Sequence, residues 1–372
     1  MSPRIDRRTL ASFDWPLFAL VLVLIGLGLG NLFSATHAGA AAGEQMSAEF
    51  RRQLVALGIG TAGAILALVF DYRRFERLAF PVYAATCLLV ASTLVLAPLH
   101  RGSQSWLMYG PIRLQPSEFT KIGLVLALAR VFQQHPPAEI RRLRELWRPG
   151  LVIALPVGLI VAQRDMGVAL LTLLIGATYL VFVRIPWRAW AAVGALGVAA
   201  LAGLWMFVLA DYQRTRVLGL FDPGQDPLAS GYQVIQSRIA IGSGGLFGKG
   251  WLEGTQTQLR FLPTQHTDFI FSVVAEEWGF VGGAVVLGLY LMLLLWGLLV
   301  ARRARDAFGA YLAIGVVGIL FWPALINVAM VLGLFPVIGV ALPLFSYGGS
   351  AMIATLVALG LLLNVSMRRF LF

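Results

Sequence analysis

A carboxylate stands where a polar segment meets an apolar helix. Residues 262–271 read LPTQHTDFIF, so Asp268 lies at this junction and His266 precedes it by two positions. Because charged groups at membrane depth are costly, a carboxylate at the mouth of an apolar helix indicates chemistry or ion handling. We interpret His266 either as a base titrating near neutral pH or as a loop anchor bonded to a carbonyl, and favour the second.

A second polar group opens another apolar helix, in the run QPSEFTK at 115–121. Ser117 and Glu118 suit the positive end of a helix dipole, and Glu118 shares one helix face with Lys121. One interpretation is that the two charges neutralise each other and merely keep the end of the helix hydrated. The other is that the pair faces a cavity and positions Asp268, since Lys121 lies about one turn into the apolar span.

Other polar residues give weaker indications of a functional site. Asp165, in the run QRDMG, lies beside Arg164, which would neutralise it, so a structural role is favoured over a site role. Glu276 and Glu277 lie further along the helix that follows position 268, where we expect cavity contacts or pairing with a neighbouring helix. Asn327, within an apolar run, is predicted to form an interhelical hydrogen bond.

Aromatic residues cluster in segments assigned to one side of the membrane. They indicate either the usual interfacial belt or a platform for sugar rings or a lipid headgroup. The residues are Trp106, Tyr109, Tyr232, Trp251 and Tyr347.

Composition indicates the elements that must position these residues. The 372-residue chain is 59% apolar and 13% charged, whereas soluble domains have about 25% charged residues. Apolar runs near the ~20 residues that span a bilayer recur throughout. We predict an all-α polytopic membrane protein, a single transmembrane domain over 1–372, with about ten helices at 15–35, 53–70, 79–98, 115–133, 149–164, 167–183, 189–210, 269–300, 308–333 and 348–367.

Basic residues orient these helices. They concentrate in alternate connections, which by the positive-inside rule places both termini in the cytoplasm. The net charge of +11 follows from this pattern and the anionic inner leaflet, so no nucleic-acid partner is implied. The single cysteine, Cys87, excludes an intrachain disulfide and a cysteine zinc site, and the lone His37 and His100 support no metal cluster.

Three segments then lie outside and are long or unusual, at 100–118, 211–268 and 333–350. Residues 211–268 form a large extracytoplasmic loop between helices seven and eight, in which Tyr232 and Gln233 begin near-helical spacing typical of an interfacial or re-entrant piece. Its run IGSGGLFGKG lacks the Walker spacing, so its glycines are expected to permit tight backbone rather than bind nucleotide. Residues 333–350 are apolar but broken by prolines and glycines, and must pack on protein or line a cavity.

Five motifs together resemble the SEDS family (shape, elongation, division, sporulation). They are QPSEFTK at 115–121, QRDMG at 163–167, GYQVIQSRIAIGSGGLFGKG at 231–250, LPTQHTDFIFSVVAEEWG at 262–279 and PVIGVALPLFSYGGS at 336–350. They occur in order over nearly the whole chain, and the start of the chain is more similar to the RodA elongation branch than to the FtsW division branch.

The resemblance implies a ten-helix peptidoglycan glycosyltransferase. Such enzymes polymerise lipid II at the outer face of the bacterial cytoplasmic (inner) membrane during cell elongation, with a class B penicillin-binding protein and elongation-complex proteins as partners. By the matching motifs, Asp268 is the essential aspartate, Glu118 and Lys121 are the polar pair close to it, and Trp106 is the loop tryptophan. Ser105 replaces the family's usual arginine before that tryptophan, a charge that Arg101 or Arg113 would supply.

The chemistry implied is glycosyl transfer with loss of an undecaprenyl pyrophosphate. Asp268 is our proposed general base, supported by Glu118 and Lys121, while cations stabilise the leaving group. Candidate substrate-binding residues are Trp106, Arg113, Ser117, Asp165, Arg214, Arg216, Tyr232, Gln233, Arg238, Arg260, His266, Ser346 and Tyr347. A divalent cation, Mg²⁺ or Mn²⁺, at the pyrophosphate is compatible with this chemistry, although no ligand set requires one. The alternatives are a lipid II flippase and a scaffold that docks a synthase.

Overall fold

Each predicted span coincides with a helix in the computed structural model, which describes residues 12–37, 46–98, 103–110, 112–134, 146–182, 186–209, 211–220 and 230–369. In chain order, the helices are α1 (Trp15–His37), α2 (Ala48–Val69), α3 (Tyr72–Leu96), α4 (Pro116–Gln134), α5 (Trp147–Ala162), α6 (Met166–Val181), α7 (Trp187–Gly203), α8 (Asp211–Leu218), α9 (Ser230–Gly244), α10 (Thr255–Gln258), α11 (Ile270–Arg302), α12 (Ala307–Val331) and α13 (Gly349–Met367).

The described part of the chain contains six helices that are long and apolar enough to cross a membrane, namely α1, α2, α3, α11, α12 and α13. The shorter helices α5 and α6 are also apolar. The chain is thus a helical multi-pass membrane protein, as predicted. The number of crossings and the cytoplasmic placement of both termini stay predictions.

Side-chain caps move two helix starts towards the amino terminus relative to the prediction. The Ser47 hydroxyl accepts the Phe50 amide at 3.1 Å, so α2 begins at Ala48. The Asp71 carboxylate accepts the Arg73 amide at 3.0 Å, so α3 begins at Tyr72. Such caps stabilise a helix by about 1 kcal/mol, and the arginines after each cap therefore lie in helical turns rather than in loops.

The packing of α2 against α13 depends on small residues. A Cβ atom at Gly60 would lie 2.6 Å from Leu356 Cδ1, and one at Gly360 would lie 2.7 Å from Ala64 Cα. Small residues let helix backbones approach closely, where dispersion contacts replace the hydrophobic drive that lipid removes. This close pair brings the amino-terminal end of α2 beside the 333–348 segment, hereafter the roof segment.

A short β-hairpin was not anticipated in the all-α prediction. Strands β1 (Leu107–Tyr109) and β2 (Ile112–Leu114) pair antiparallel, with Leu107 opposite Leu114. Gly110 turns the chain with φ +58°, a conformation that glycine adopts without steric cost. The hairpin leads directly into α4 and so fixes how Trp106 approaches the first turn of that helix.

The predicted long loop at 211–268 is largely helical where it is described. The near-helical spacing that begins at Tyr232 lies within α9, which packs against α11. Ser237 in α9 is fully buried, and its hydroxyl donates to the Val331 carbonyl at 2.7 Å. The segment therefore packs into the helical core, and its expected interfacial or re-entrant position stays a prediction.

Helix α11 is broken near its start, where Gly279 adopts φ +67°. The glycine-rich loop after α9 fills the break. The amides of Lys249 and Gly250 donate to the carbonyls of Glu276 and Glu277 at 3.1 and 3.0 Å, and the amides of Phe280 and Val281 donate to Gly245 and Leu246 at 2.9 and 3.0 Å. A Cβ atom at Gly248 would lie 2.1 Å from Glu277 O. The expectation that these glycines permit tight backbone is confirmed.

Candidate active site

Asp268 lies in the turn before α11, and its side chain is half-buried. Its amide donates to the Thr264 carbonyl at 3.2 Å, and Thr264 holds φ +55°. A Cβ atom built on Gly339 of the roof segment would lie 3.6 Å from Asp268 Oδ2. The carboxylate therefore faces the roof segment at a position where the roof has no side chain.

Three successive carbonyls around Asp268 accept hydrogen bonds from distant parts of the chain. The Tyr347 amide donates to His266 O at 2.8 Å, and the Ser346 hydroxyl donates to Thr267 O at 2.5 Å. The Asn327 side chain of α12 donates through Nδ2 to Asp268 O at 2.8 Å. These bonds fix the backbone that carries the carboxylate, so we call residues 266–268 the clamped turn.

Ser346, a predicted substrate-binding residue, is buried and already bonded within the protein. Its hydroxyl also accepts the Leu342 amide at 2.8 Å. Gln53 in α2 holds the same stretch, since its Nε2 donates to Ser346 O at 3.2 Å and its Oε1 accepts the Gly348 amide at 3.1 Å. Gln53 is fully buried and was missed from the sequence, where the only available signal was an amide within an apolar helix.

Glu118 and Lys121 form the predicted pair. Lys121 Nζ lies 2.7 Å from Glu118 Oε1, and both side chains are largely buried. The hydroxyl of Ser117, in the same helix turn, is buried without a hydrogen-bond partner in the described structure. A buried polar group without a partner is costly, and Ser117 is fully buried, so its expected contact with substrate stays a prediction.

Asp165 joins this polar group from the start of α6. It caps that helix through the Val168 amide at 3.2 Å, and Gln115 Nε2 donates to its Oδ2 at 3.2 Å. Burial raises the pKa of Asp165, and the Glu118 charge raises it further, while hydrogen bonds and the Lys121 charge oppose that rise. The pair thus interacts electrostatically with Asp165, and its expected positioning of Asp268 stays a prediction.

Arg164, expected to neutralise Asp165, is exposed and holds φ +62°. No ion pair joins Arg164 to Asp165 among the described residues. Instead, the side-chain amide of Gln115 donates a hydrogen bond to the Asp165 carboxylate. Trp106 is half-buried beside the hairpin, and Arg113 is exposed on β2. Arg101, the other candidate for the family's missing charge, lies outside the described residues.

His266 packs beside Tyr347. Its ring is half-buried and lies 5.8 Å from the Tyr347 ring, centroid to centroid. Burial lowers the pKa of His266; the Glu49 charge opposes this and the Arg260 charge adds to it. The His266 backbone carbonyl accepts the Tyr347 amide, whereas the expected hydrogen bond from the ring to a loop carbonyl stays a prediction.

Two of the predicted cations converge on one open cleft. Arg216 Nη1 donates to Val337 O at 3.3 Å, and Arg238 donates through Nε and Nη2 to Leu332 O and Gly333 O at 3.2 and 3.1 Å. The cleft is shallow, with room for about one water molecule. Its wall includes the apolar side chains of Leu220, Phe335 and Pro336, so it presents cationic and apolar groups side by side.

The remaining candidates are more dispersed. Arg214 donates to Trp205 O and Met206 O at 3.1 and 3.2 Å and pairs with Asp211, so it satisfies carbonyls at the π-helical turn Leu204–Val208 after α7. Tyr232 and Gln233 are half-buried in the first turn of α9, and Arg260 holds φ +57° after α10.

Glu276 and Glu277, which are adjacent in α11, form structural hydrogen bonds. Glu276 is fully buried and accepts Lys249 Nζ at 2.8 Å and the amides of Gln256 and Thr257 at 2.8 and 3.0 Å. Glu277 accepts the Ser34 hydroxyl of α1. The expected pairing with a neighbouring helix is thus present for Glu277, while Glu276 anchors the loop. Among the described residues, no group of three or more His, Cys, Asp or Glu side chains is placed to hold a metal ion.

The helical architecture defines a polytopic membrane protein. Its candidate transferase site contains the carboxylate of Asp268 on the clamped turn and the buried ion pair of Glu118 with Lys121. The family model for FtsW, RodA and SpoVE, described as cell cycle protein, matches residues 15–370. The chain therefore belongs to the FtsW/RodA/SpoVE family, which confirms the resemblance found in the sequence.

Named relatives agree over nearly the full length. The chain is 39% identical to the peptidoglycan glycosyltransferase MrdB of Escherichia coli (strain K12), over 94% of this chain and 93% of that protein. A chain from a peptidoglycan synthase complex, described as coordinating polymerization and crosslinking, is 40% identical with a TM-score of 0.79, covering 97% and 99% of the two chains. RodA of Thermus thermophilus is 35% identical with a TM-score of 0.71, covering 97% and 98%.

Proposed function

We propose that this protein is a peptidoglycan glycosyltransferase that polymerises lipid II, with Asp268 as general base. The observation that carries the proposal is the clamped turn, since three hydrogen bonds fix the backbone on which the Asp268 carboxylate is mounted. A base acts efficiently when it is held within hydrogen-bond reach of the proton that it abstracts. Relatives named for this activity match almost the whole chain.

In the proposed reaction, the acceptor sugar hydroxyl attacks the anomeric carbon of the donor. The carbon–oxygen bond to the undecaprenyl pyrophosphate breaks, the hydroxyl proton passes to Asp268, and the configuration at that carbon inverts. Preorganised cations lower the energy of the charge that develops on the leaving group. Lys121 serves this role within the site, and Arg216 and Arg238 serve it at the cleft, where Leu220 and Phe335 would contact the isoprenoid.

Purified Asp268→Asn protein, incubated with its partner and lipid II, tests the base assignment. We expect glycan polymer to fall below detection, because an amide cannot accept the proton. The matched control is Asp211→Asn, since the Asp211 side chain is fully exposed and its variant should polymerise at the parental rate. Parental polymerisation by Asp268→Asn would exclude the role. Polymer formed from lipid II added in detergent also separates a polymerase from a flippase.

Our proposal includes a class B penicillin-binding protein as partner and an outward-facing site in the bacterial inner membrane. The similarity to a chain of a synthase complex supports the partner, and the positive-inside pattern supports the orientation. Copurification of a class B penicillin-binding protein with the tagged full chain tests the first point. A divalent cation, Mg²⁺ or Mn²⁺, at the pyrophosphate stays a prediction, since such an ion needs only one or two protein carboxylates beside the substrate phosphates; addition of a chelator to the assay tests that requirement.

A further inference from the structure

We propose that Asn327 is a positioning residue for the reaction, because one side-chain amide joins the turn carrying Asp268 to the roof segment. Asn327 Nδ2 donates to Asp268 O at 2.8 Å and to Val340 O at 2.7 Å. This inference rests on the proposed function of Asp268. The sequence suggested a bond between helices, whereas the structure connects α12 to two irregular segments.

The chemistry of the contacts fixes the orientation of this amide. Both neighbours are carbonyl oxygens, so only the NH₂ group of Asn327 can face them. The side chain is fully buried, and its Oδ1 has no partner in the described part of the structure. An unpaired buried oxygen destabilises the fold. An apolar residue would fill α12 without that cost, so the two bridging bonds are the specific contribution of asparagine.

One of the two carbonyls belongs to the residue that bears the carboxylate, and the other belongs to the segment that the carboxylate faces. Asp268 O belongs to the residue that bears the carboxylate, so a bond to it restrains the backbone dihedral angles that aim the side chain. Val340 follows Gly339, whose Cβ position lies 3.6 Å from Asp268 Oδ2. Asn327 thereby sets both the direction of the carboxylate and the distance to its facing wall. Misplacement of a reacting group by about 1 Å lowers a rate by about 10²-fold.

A matched asparagine makes the test specific. Asn364 of α13 is also fully buried, and its Nδ2 also bridges two carbonyls, those of Ala67 and Phe70 at the end of α2. Asn327→Leu and Asn364→Leu therefore each remove a pair of bridging bonds, and Asn364→Leu also removes the bond that Asn364 Oδ1 accepts from Arg368 Nε at 2.8 Å. We expect Asn327→Leu to lower kcat for lipid II polymerisation by about 10²-fold at unchanged KM, while Asn364→Leu keeps the parental kcat despite a fall in unfolding temperature that is at least as large.

Asn327→Asp provides a second readout that does not depend on Asn327→Leu folding. A carboxylate repels both carbonyls, whereas a protonated carboxyl donates one hydrogen bond, so the ratio of the variant's kcat to the parental kcat should rise as the pH is lowered. A parental kcat in Asn327→Leu, an equal kcat loss in Asn364→Leu, or a parental pH profile in Asn327→Asp would each overturn the inference. Inactive Asp268→Asn beside fully active Asn327→Leu would overturn only this inference, whereas fully active Asp268→Asn would overturn the base assignment itself.

Discussion

Lys121 donates to Glu118 across 2.7 Å, and the two side chains are only 6% and 13% exposed. Loss of one member of such a buried pair leaves the other charge uncompensated, which costs about 3–5 kcal/mol, whereas removal of both is far less costly. The pair must therefore be considered as a unit in which stability and chemistry are coupled.

For this pair we predict that Lys121→Met destabilises the protein more than the double change Glu118→Gln with Lys121→Met. Both variants should lose most polymerase activity, since the leaving-group cation is absent in each. Thermal unfolding in detergent, measured beside lipid II polymerisation, separates the two effects. Equal unfolding temperatures for the single and double variants would show that the charges are not energetically coupled.

Gly339→Ala should impair both stability and turnover. Gly339 holds φ +72°, where an alanine costs roughly 1–2 kcal/mol, and the added methyl group would sit 3.6 Å from Asp268 Oδ2. Gly288 in α11 is the control, because its Cβ position has open space. Alanine there should not lower the unfolding temperature or the polymerisation rate. Unchanged kinetics in Gly339→Ala would mean that substrate does not use the space beside the carboxylate.

The stability of the clamped turn should depend on pH through His266. Burial lowers the pKa of His266 below its usual 6.5, so the folded protein favours the neutral ring. Its contribution to the free energy of unfolding is full above pH 6.5 and is lost as pH falls from there through the lowered pKa. The parental protein should therefore lose more stability than His266→Gln between about pH 7 and 5. Parallel curves would argue against a buried neutral ring.

Cysteine labelling tests which side the site faces. The single native cysteine, Cys87, is 5% exposed and should label weakly. Met108 on β1 is exposed, and Arg303 lies beyond the far end of α11. We expect a membrane-impermeant maleimide to label Met108→Cys in intact spheroplasts and Arg303→Cys only after permeabilisation. The opposite pattern would invert the proposed topology.

The helices were predictable because apolar runs of membrane-spanning length dominate the chain. The starts of α2 at Ala48 and of α3 at Tyr72 were not predictable. A single capping side chain extends each of these helices through arginines that are typical of a loop. The break at Gly279 was also missed. A glycine within an apolar run carries no signal of the loop that bonds across it.

The candidate site was predictable only in part. The Glu118–Lys121 pair follows from helical spacing, and the expectation for His266 followed from its place in a polar loop. The hydrogen bonds that support the backbone of Asp268 could not be predicted, because they come from Asn327 and from residues 346–347, which are distant in sequence. Local patterns do not encode contacts between such separated segments, so Gln53 and Asn327 gained their significance from the fold alone.

The glycine loop inserted at the break of α11 has a mechanical consequence. Detaching residues 245–250 would break four backbone hydrogen bonds in a single step and leave four carbonyls and four amides without these partners, since both segments pair with each other there. Where such groups are not satisfied by water, each costs about 1–3 kcal/mol. We therefore expect the loop and the amino-terminal part of α11 to move as one rigid unit. Any conformational change that opens the proposed site then has its hinges outside this unit, where the backbone is not paired across a helix break.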